Sequence, residues 1–310
     1  MMAAVRSLFA SNRRPVLSSL GALLIGVGFL VVAFRRSDAE LFGDSWGEGA
    51  IFVTIAIPCI LLLGAGLTSP RGGEAAPWQT VCVVFGLILL PLALALFVDW
   101  IAGPSDAGNP LNVAWIFALT AVVSFYAGIF GRVRYALLLG AVALVISWLG
   151  LWGQIVSGSL SDHVTTLRWL LLLAAAGLVA LALFAQGRAS EVVTVAVLAA
   201  VGAGAISGLA VYGQNPFVSV PHANASFLWS LELLVVSLAA ILYGAGGRAR
   251  GPAYAGTLGL ALFTLIVGLD LANPDSPSGT LLGWPLVLVI AGIAAFAASF
   301  APSRHRHPGP

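Results

Sequence analysis

One carboxylate stands inside an otherwise uncharged apolar run: Glu232, in the segment 227–245, one turn beyond Trp229. An acidic group within a membrane span costs roughly 2.5–3.5 kcal/mol on insertion scales unless it is paired or solvated, which makes it a functional candidate by default. Its chemistry divides two ways. It can carry protons on a solute or ion pathway, or it can be a shallow charge that reaches interfacial water or pairs with Arg168 or with Arg35 and Arg36. Gln154 and Gln214 each follow a glycine where an apolar run ends, and a glutamine amide there can cap a helix, bond between neighbouring segments or line a polar vestibule. Asp99 and Asp270 fall at matching exits of two further runs. Pro58 and Pro91 lie deep inside runs, where each removes a backbone N–H and frees a carbonyl, either as a packed kink or facing a cavity. Glu232, Gln154, Gln214, Asp99, Asp270, Pro58 and Pro91 are thus the candidate lining of a substrate or ion pathway.

Other reactive residues point to little chemistry. Asp162, His163 and His222 occupy loops without further ligands at metal spacing, so no metal site is expected. Asp38, Glu40, Asp44 and Glu48 surround the Arg35-Arg36 couple, an arrangement suited to local charge pairing or, alternatively, to a cation site. Cys59 and Cys82 sit in separate apolar runs and read as small fillers. No nucleophile elbow, phosphate loop or zinc-protease helix is present, and no span carries a histidine that can ligate haem. No catalytic residue and no cofactor are expected, and the chain is read as not an enzyme.

The elements that must position these groups follow from composition. Of 310 residues 60% are hydrophobic and 8% charged, which rules out a soluble globule, since ordinary domains carry about 25% charged residues. A net charge of +2 argues against a nucleic-acid partner. A bilayer core about 30 Å thick needs about 20 apolar residues per helix. Ten segments qualify: 16–34, 50–67, 79–98, 113–130, 135–153, 167–186, 192–212, 227–245, 253–270 and 281–300. The expected fold is all-α, a polytopic integral membrane protein in a single membrane domain, 1–310. It comprises an N-terminal segment 1–15, a ten-helix transmembrane bundle 16–300 and a short basic tail 301–310.

With the N-terminus inside, Arg6, Arg13, Arg14, Arg71, Arg132, Arg134, Arg188, Arg248, Arg250, Arg304 and Arg306 are cytoplasmic and only Arg35, Arg36 and Arg168 are external. That asymmetry fixes the orientation, with both termini cytoplasmic. Most carboxylates segregate to the other side, leaving Glu232 as the one charge assigned to a span. Arg13-Arg14-Pro15 superficially resembles an export signal. The apolar stretch after it is long and lacks a small-x-small cleavage site, so it reads as a signal anchor.

An offset of sixty residues aligns Ser147 with Ser207, Gly153-Gln154 with Gly213-Gln214, Trp169 with Trp229 and Gly187-Arg188 with Gly247-Arg248. Weaker copies elsewhere suggest about five helical-hairpin repeats, each closed by an external loop. Trp and Arg recur partly as interface anchors; the glutamines need another reason. The seventh segment is dense in small residues, including Gly202, Gly204 and Gly208, and is expected to sit centrally, packing closely against neighbours.

Length, helix count and termini resemble, in outline, the drug/metabolite transporter superfamily, which would imply solute transport. None of that superfamily's motifs is present, and its five-helix inverted halves conflict with a two-helix period. The scarcity of charge in the spans favours a non-enzymatic scaffold, sensor or partner subunit of an envelope complex in a cell membrane, of the bacterial inner-membrane kind. Its expected partners are the lipid bilayer and another membrane protein or a second copy. The alternative is a transporter or channel for a small solute, ion or lipid, proton-coupled through Glu232.

Overall fold

The computed structural model describes residues 14–37, 46–67, 76–103, 106–155, 164–184, 189–212, 227–247 and 250–271. These residues form α1 (Arg14–Ser37), α2 (Glu48–Leu67), α3 (Pro77–Ala102), a 3₁₀ turn (Asp106–Gly108), α4 (Pro110–Ile129) and α5 (Arg134–Ile155). They continue as α6 (Val164–Phe184), α7 (Ala189–Tyr212), α8 (Phe227–Gly247) and α9 (Arg250–Leu271). Seven of these helices, α2 to α6, α8 and α9, are long and apolar enough to cross a membrane. The protein is all-α and has the helices of a multi-pass membrane protein. The expected tenth span, 281–300, lies outside the described residues.

Local sequence explains where the helices begin. Pro77 opens α3, and the Gln79 side chain reaches back to accept the Ala76 N–H at 2.8 Å, so α3 starts two residues earlier than its apolar run. Asn109 caps α4 by accepting the Leu111 N–H at 3.2 Å, with Pro110 in the first helical position. Between α4 and α5 the chain reverses through Arg132, whose φ of 55° is left-handed, and the Val133 N–H returns to the Ala127 carbonyl at 3.3 Å. Pro58 and Pro91 are accommodated inside helices that continue through them.

The most extensive helix contacts are α2 with α3, α4 with α5, α6 with α7 and α8 with α9. The connections that join these pairs, of nine, four, four and two residues, each carry an arginine: Arg71, Arg132, Arg188 and Arg248. The closest pairing is therefore offset by one helix from the sixty-residue sequence unit, whose own pairs, α3 with α4, α5 with α6 and α7 with α8, touch less. Odd-numbered helices also meet in succession, α1 with α3, α3 with α5, α5 with α7 and α7 with α9. Among the described residues the core is accordingly a series of local clusters, one at α1, α2 and α3, another at α7, α8 and α9, with others between.

Glycine makes the close approaches within the pairs. A methyl group added at Gly86 of α3 would lie 2.7 Å from Leu63 Cγ of α2, and one at Gly256 of α9 would lie 2.6 Å from the Ser237 carbonyl of α8. In contrast, Gly64 of α2 has nothing within 4 Å of an added methyl. Overpacking typically costs about 1–3 kcal/mol, whereas glycine costs about 1 kcal/mol relative to alanine in a helix. Gly86→Leu is expected to lower the thermal midpoint of the purified protein in detergent, and Gly64→Ala to leave it unchanged or raise it. Equal losses in both variants would contradict the α2–α3 packing.

Candidate functional site

The first two turns of α6 and α8 bring two buried charged side chains into one neighbourhood. Arg168 and Trp169 stand near the start of α6, and Trp229 and Glu232 near the start of α8. The Trp169 and Trp229 rings meet edge to face, with centroids 5.8 Å apart and planes at 72°. The Arg168 guanidinium carbon lies 4.6 Å from the Trp229 ring centroid, a cation–π contact worth about 2 kcal/mol when desolvated. Arg168 is only 7% exposed. It interacts electrostatically with Glu232, yet no hydrogen bond reaches either carboxylate oxygen or the Arg168 Nε, and all three atoms are sealed from water-sized contact.

The site depends on the slenderness of α7, which lies between α6 and α8. Leu171 and Ala175 of α6 pack on Ala199, Ala200 and Ala203 of α7. On the side toward α8, a methyl group at Gly204 would lie 2.5 Å from Glu232 Oε2 and 2.8 Å from Leu233 Cβ. Gly204 is the seat of the carboxylate. Gly202 is half-buried, with Leu171 Cδ1 3.8 Å from its added methyl position, and the surroundings of Gly208 lie outside the described residues. α7 packs against four helices, α5, α6, α8 and α9.

The reading of Glu232 as the one charge within a span needs correction. Arg168 falls inside the apolar stretch Thr165–Leu183 and is buried there. A signal for this exists in the sixty-residue offset, where Arg168 aligns with Leu228 and Glu232 with Leu172. Each charge interrupts an apolar position near the paired tryptophans, and the two lie close enough to interact electrostatically without a hydrogen bond to either carboxylate oxygen.

The remaining candidates do not converge on this site. Asp99 ends α3, where its Oδ1 accepts the Ala107 N–H at 2.9 Å and its carbonyl accepts the Gly103 N–H at 3.1 Å. It staples the turn into α4. Gln154 is exposed near the end of α5. Gln214 lies outside the described residues, as do the surroundings of Asp270 in the last turn of α9. Pro58 is buried and Pro91 half-buried in the α2–α3 pair, where the Cys59 thiol donates to the Gly86 carbonyl at 3.3 Å. That pair makes no extensive contact with α6, α7, α8 or α9.

No family model, curated protein or solved structure matches this chain. Chemistry must therefore be read from the chain alone. Among the described residues no three of His, Cys, Asp and Glu gather as a metal site would require. A crevice of about 480 Å³ opens between α5 and α6, with Leu144, Val145 and Trp148 facing Leu173, Gly177 and Leu181. Its walls offer no charged group. The Trp148 indole N–H is used by the Leu170 carbonyl at 3.1 Å.

Asp99 provides a direct check on the division between stapling and pathway residues. Asp99→Ala removes the acceptor for the Ala107 N–H and is expected to cost about 0.5–1.5 kcal/mol, read as a lower unfolding midpoint in detergent. Proton permeability of vesicles carrying the variant should match that of vesicles carrying the native chain. A changed permeability with an unchanged midpoint would place Asp99 on a pathway instead.

Proposed function

We propose that the chain is a non-catalytic, multi-pass protein of the inner membrane that acts as a scaffold or partner subunit of an envelope complex. The observation that carries this reading is the sealing of Glu232: its oxygens lie against Gly204, under the influence of Arg168, with no water-sized contact. A proton-coupling carboxylate must exchange with water, and a solute pathway needs polar groups converging from several helices. Here several hydroxyl side chains are spent locally. Thr120, Thr194, Ser237, Thr257 and Thr264 each donate to the carbonyl four residues earlier in their own helix. Ser147 donates to the Ala114 carbonyl of α4 at 2.8 Å and so joins helices without opening a channel.

In this reading the chain has ten spans in about five related hairpins, with both termini in the cytoplasm, where the arginine-bearing connections cluster. The partners are lipid and a membrane protein, either a different chain or a second copy. Exposed apolar side chains along the helices, Ile60, Leu61, Leu183 and Leu242 among them, suit contact with acyl chains or with another helix. The second reading, a transporter or channel, is favoured by one observation alone, the unpartnered carboxylate oxygens of Glu232.

Reconstitution separates the two. Purified protein in liposomes, with a pH-sensitive dye inside and a potassium diffusion potential imposed, is expected to show the proton flux of protein-free liposomes. Flux above that level that disappears in Glu232→Gln would overturn the scaffold reading. Topology is checked separately by fusing a reporter that is active only outside the cytoplasm. Activity is expected for fusions after residue 275 and none for fusions at residue 310.

A further inference from the structure

The offset that aligns Trp169 with Trp229 makes neighbouring segments of this chain chemically alike, and like segments in an apolar solvent can exchange places at little cost. Repeat proteins misassemble in this way, one unit docking where its neighbour belongs. Apolar helices have few means of refusing a wrong neighbour, because lipid is as good a solvent for leucine as another helix is. A buried polar or charged pair supplies one: in the right register each charge meets its partner, and in a wrong register each is stranded in hydrocarbon.

Among the described residues, Arg168 and Glu232 are such a pair of buried opposite charges. α6 and α8 make no extensive contact with each other, since α7 runs between them. They meet through Trp169, Trp229, Arg168 and Glu232, across the narrow face of α7 that Ala203 and Gly204 provide. Arg168 and Glu232 replace what the offset aligns as leucines, Leu228 and Leu172. The tryptophans are the shared part of the contact and the charges are the part that differs. We propose that Arg168 and Glu232 are an assembly key: two buried opposite charges in electrostatic reach of each other, Arg168 laid on the Trp229 ring and Glu232 seated on Gly204, that fix the rotation and register of α8 against α6. The key does not depend on what the assembled protein does in its membrane.

The pair is tested by a double-mutant cycle combined with a distance measurement. Arg168→Leu and Glu232→Leu, each alone, strand the other charge, and the thermal midpoint in detergent should fall on the order of 10 °C. Arg168→Leu combined with Glu232→Leu should recover most of that loss, as should the exchange Arg168→Glu with Glu232→Arg. The distance arm uses spin labels at Thr165→Cys on α6 and Leu228→Cys on α8, in a chain whose buried Cys59 and Cys82 are replaced by serine. The native pair and the exchanged pair should give one narrow distance distribution, and the doubly neutral variant a broad or divided one. Additive losses in the cycle would overturn the proposal, and so would a single narrow distribution in the doubly neutral variant. Where a single variant does not fold, the doubly neutral and exchanged variants carry the distance comparison by themselves.

Discussion

Helices surrounded by lipid gain no hydrophobic free energy by touching one another, so their association rests on how closely the backbones can approach. Gly86 against Leu63 and Gly256 against the Ser237 carbonyl are two places where this constraint is met by the absence of a side chain. α7 meets it along a whole face. Ala199, Ala200, Ala203 and Gly204 thin that helix until α6 and α8 approach across it, and only then can Arg168 lie on the Trp229 ring. The charged site is a consequence of small-residue packing and not its cause. A bulkier α7 would hold the two charges apart, each without its counterion.

Helix pairing falls in one phase of the helix order, across the connections that carry arginine. Four residues, from Phe130 to Val133, separate α4 from α5, and the left-handed Arg132 with the Val133-to-Ala127 bond leaves the two helices no choice but to lie side by side. The helices joined by the α5–α6 and α7–α8 connections pack less, although the eight residues 156–163 between α5 and α6 are fewer than the nine, 68–76, that join the closely packed α2 and α3. A repeat detected at sixty residues and a packing unit closed at the opposite end are compatible. The same helix order can be divided into hairpins in either phase, and the phase closed by the arginine-bearing connections packs more extensively.

Which parts of this arrangement were legible in the sequence depends on what a bilayer demands. Helix positions were readable because length and apolarity are imposed from outside; the described helices overlap nine of the ten expected segments, seven of them long and apolar enough to cross a membrane, and overrun them where Pro77 with Gln79 and Asn109 with Pro110 extend the helical start. Pairing was not readable from the apolar pattern, because a helix flanked by both lipid and protein is apolar all round and no face is marked. Glu232 was found because a carboxylate in such a run is conspicuous. Arg168 was assigned to the exterior because, with the N-terminus inside, the alternation of spans puts the start of the sixth segment there. Here the guanidinium instead lies on Trp229, a tryptophan contributed by α8, a partner that spacing along α6 could never reveal. Asp99 is similar: its bond to the Ala107 N–H exists only because the turn folds back.

A carboxylate in a membrane span has two physical solutions, water or a counter-charge, and they lead to different biology. Water keeps the group ionisable and exchangeable, as transport demands. A counter-charge in a dry site favours the charged form while burial keeps it from exchanging with water, and the attraction is directional because it is lost when either helix turns or slides. Charges held in this way impose geometry. Glu232 meets the second description on every count available: a burying neighbour in Gly204, a positive neighbour in Arg168 and no contact with a water-sized void. A protein whose polar groups are spent on its own assembly presents its surroundings with apolar surface, and apolar surface in a bilayer is recognised by shape. That is the property of a component that other membrane helices pack against.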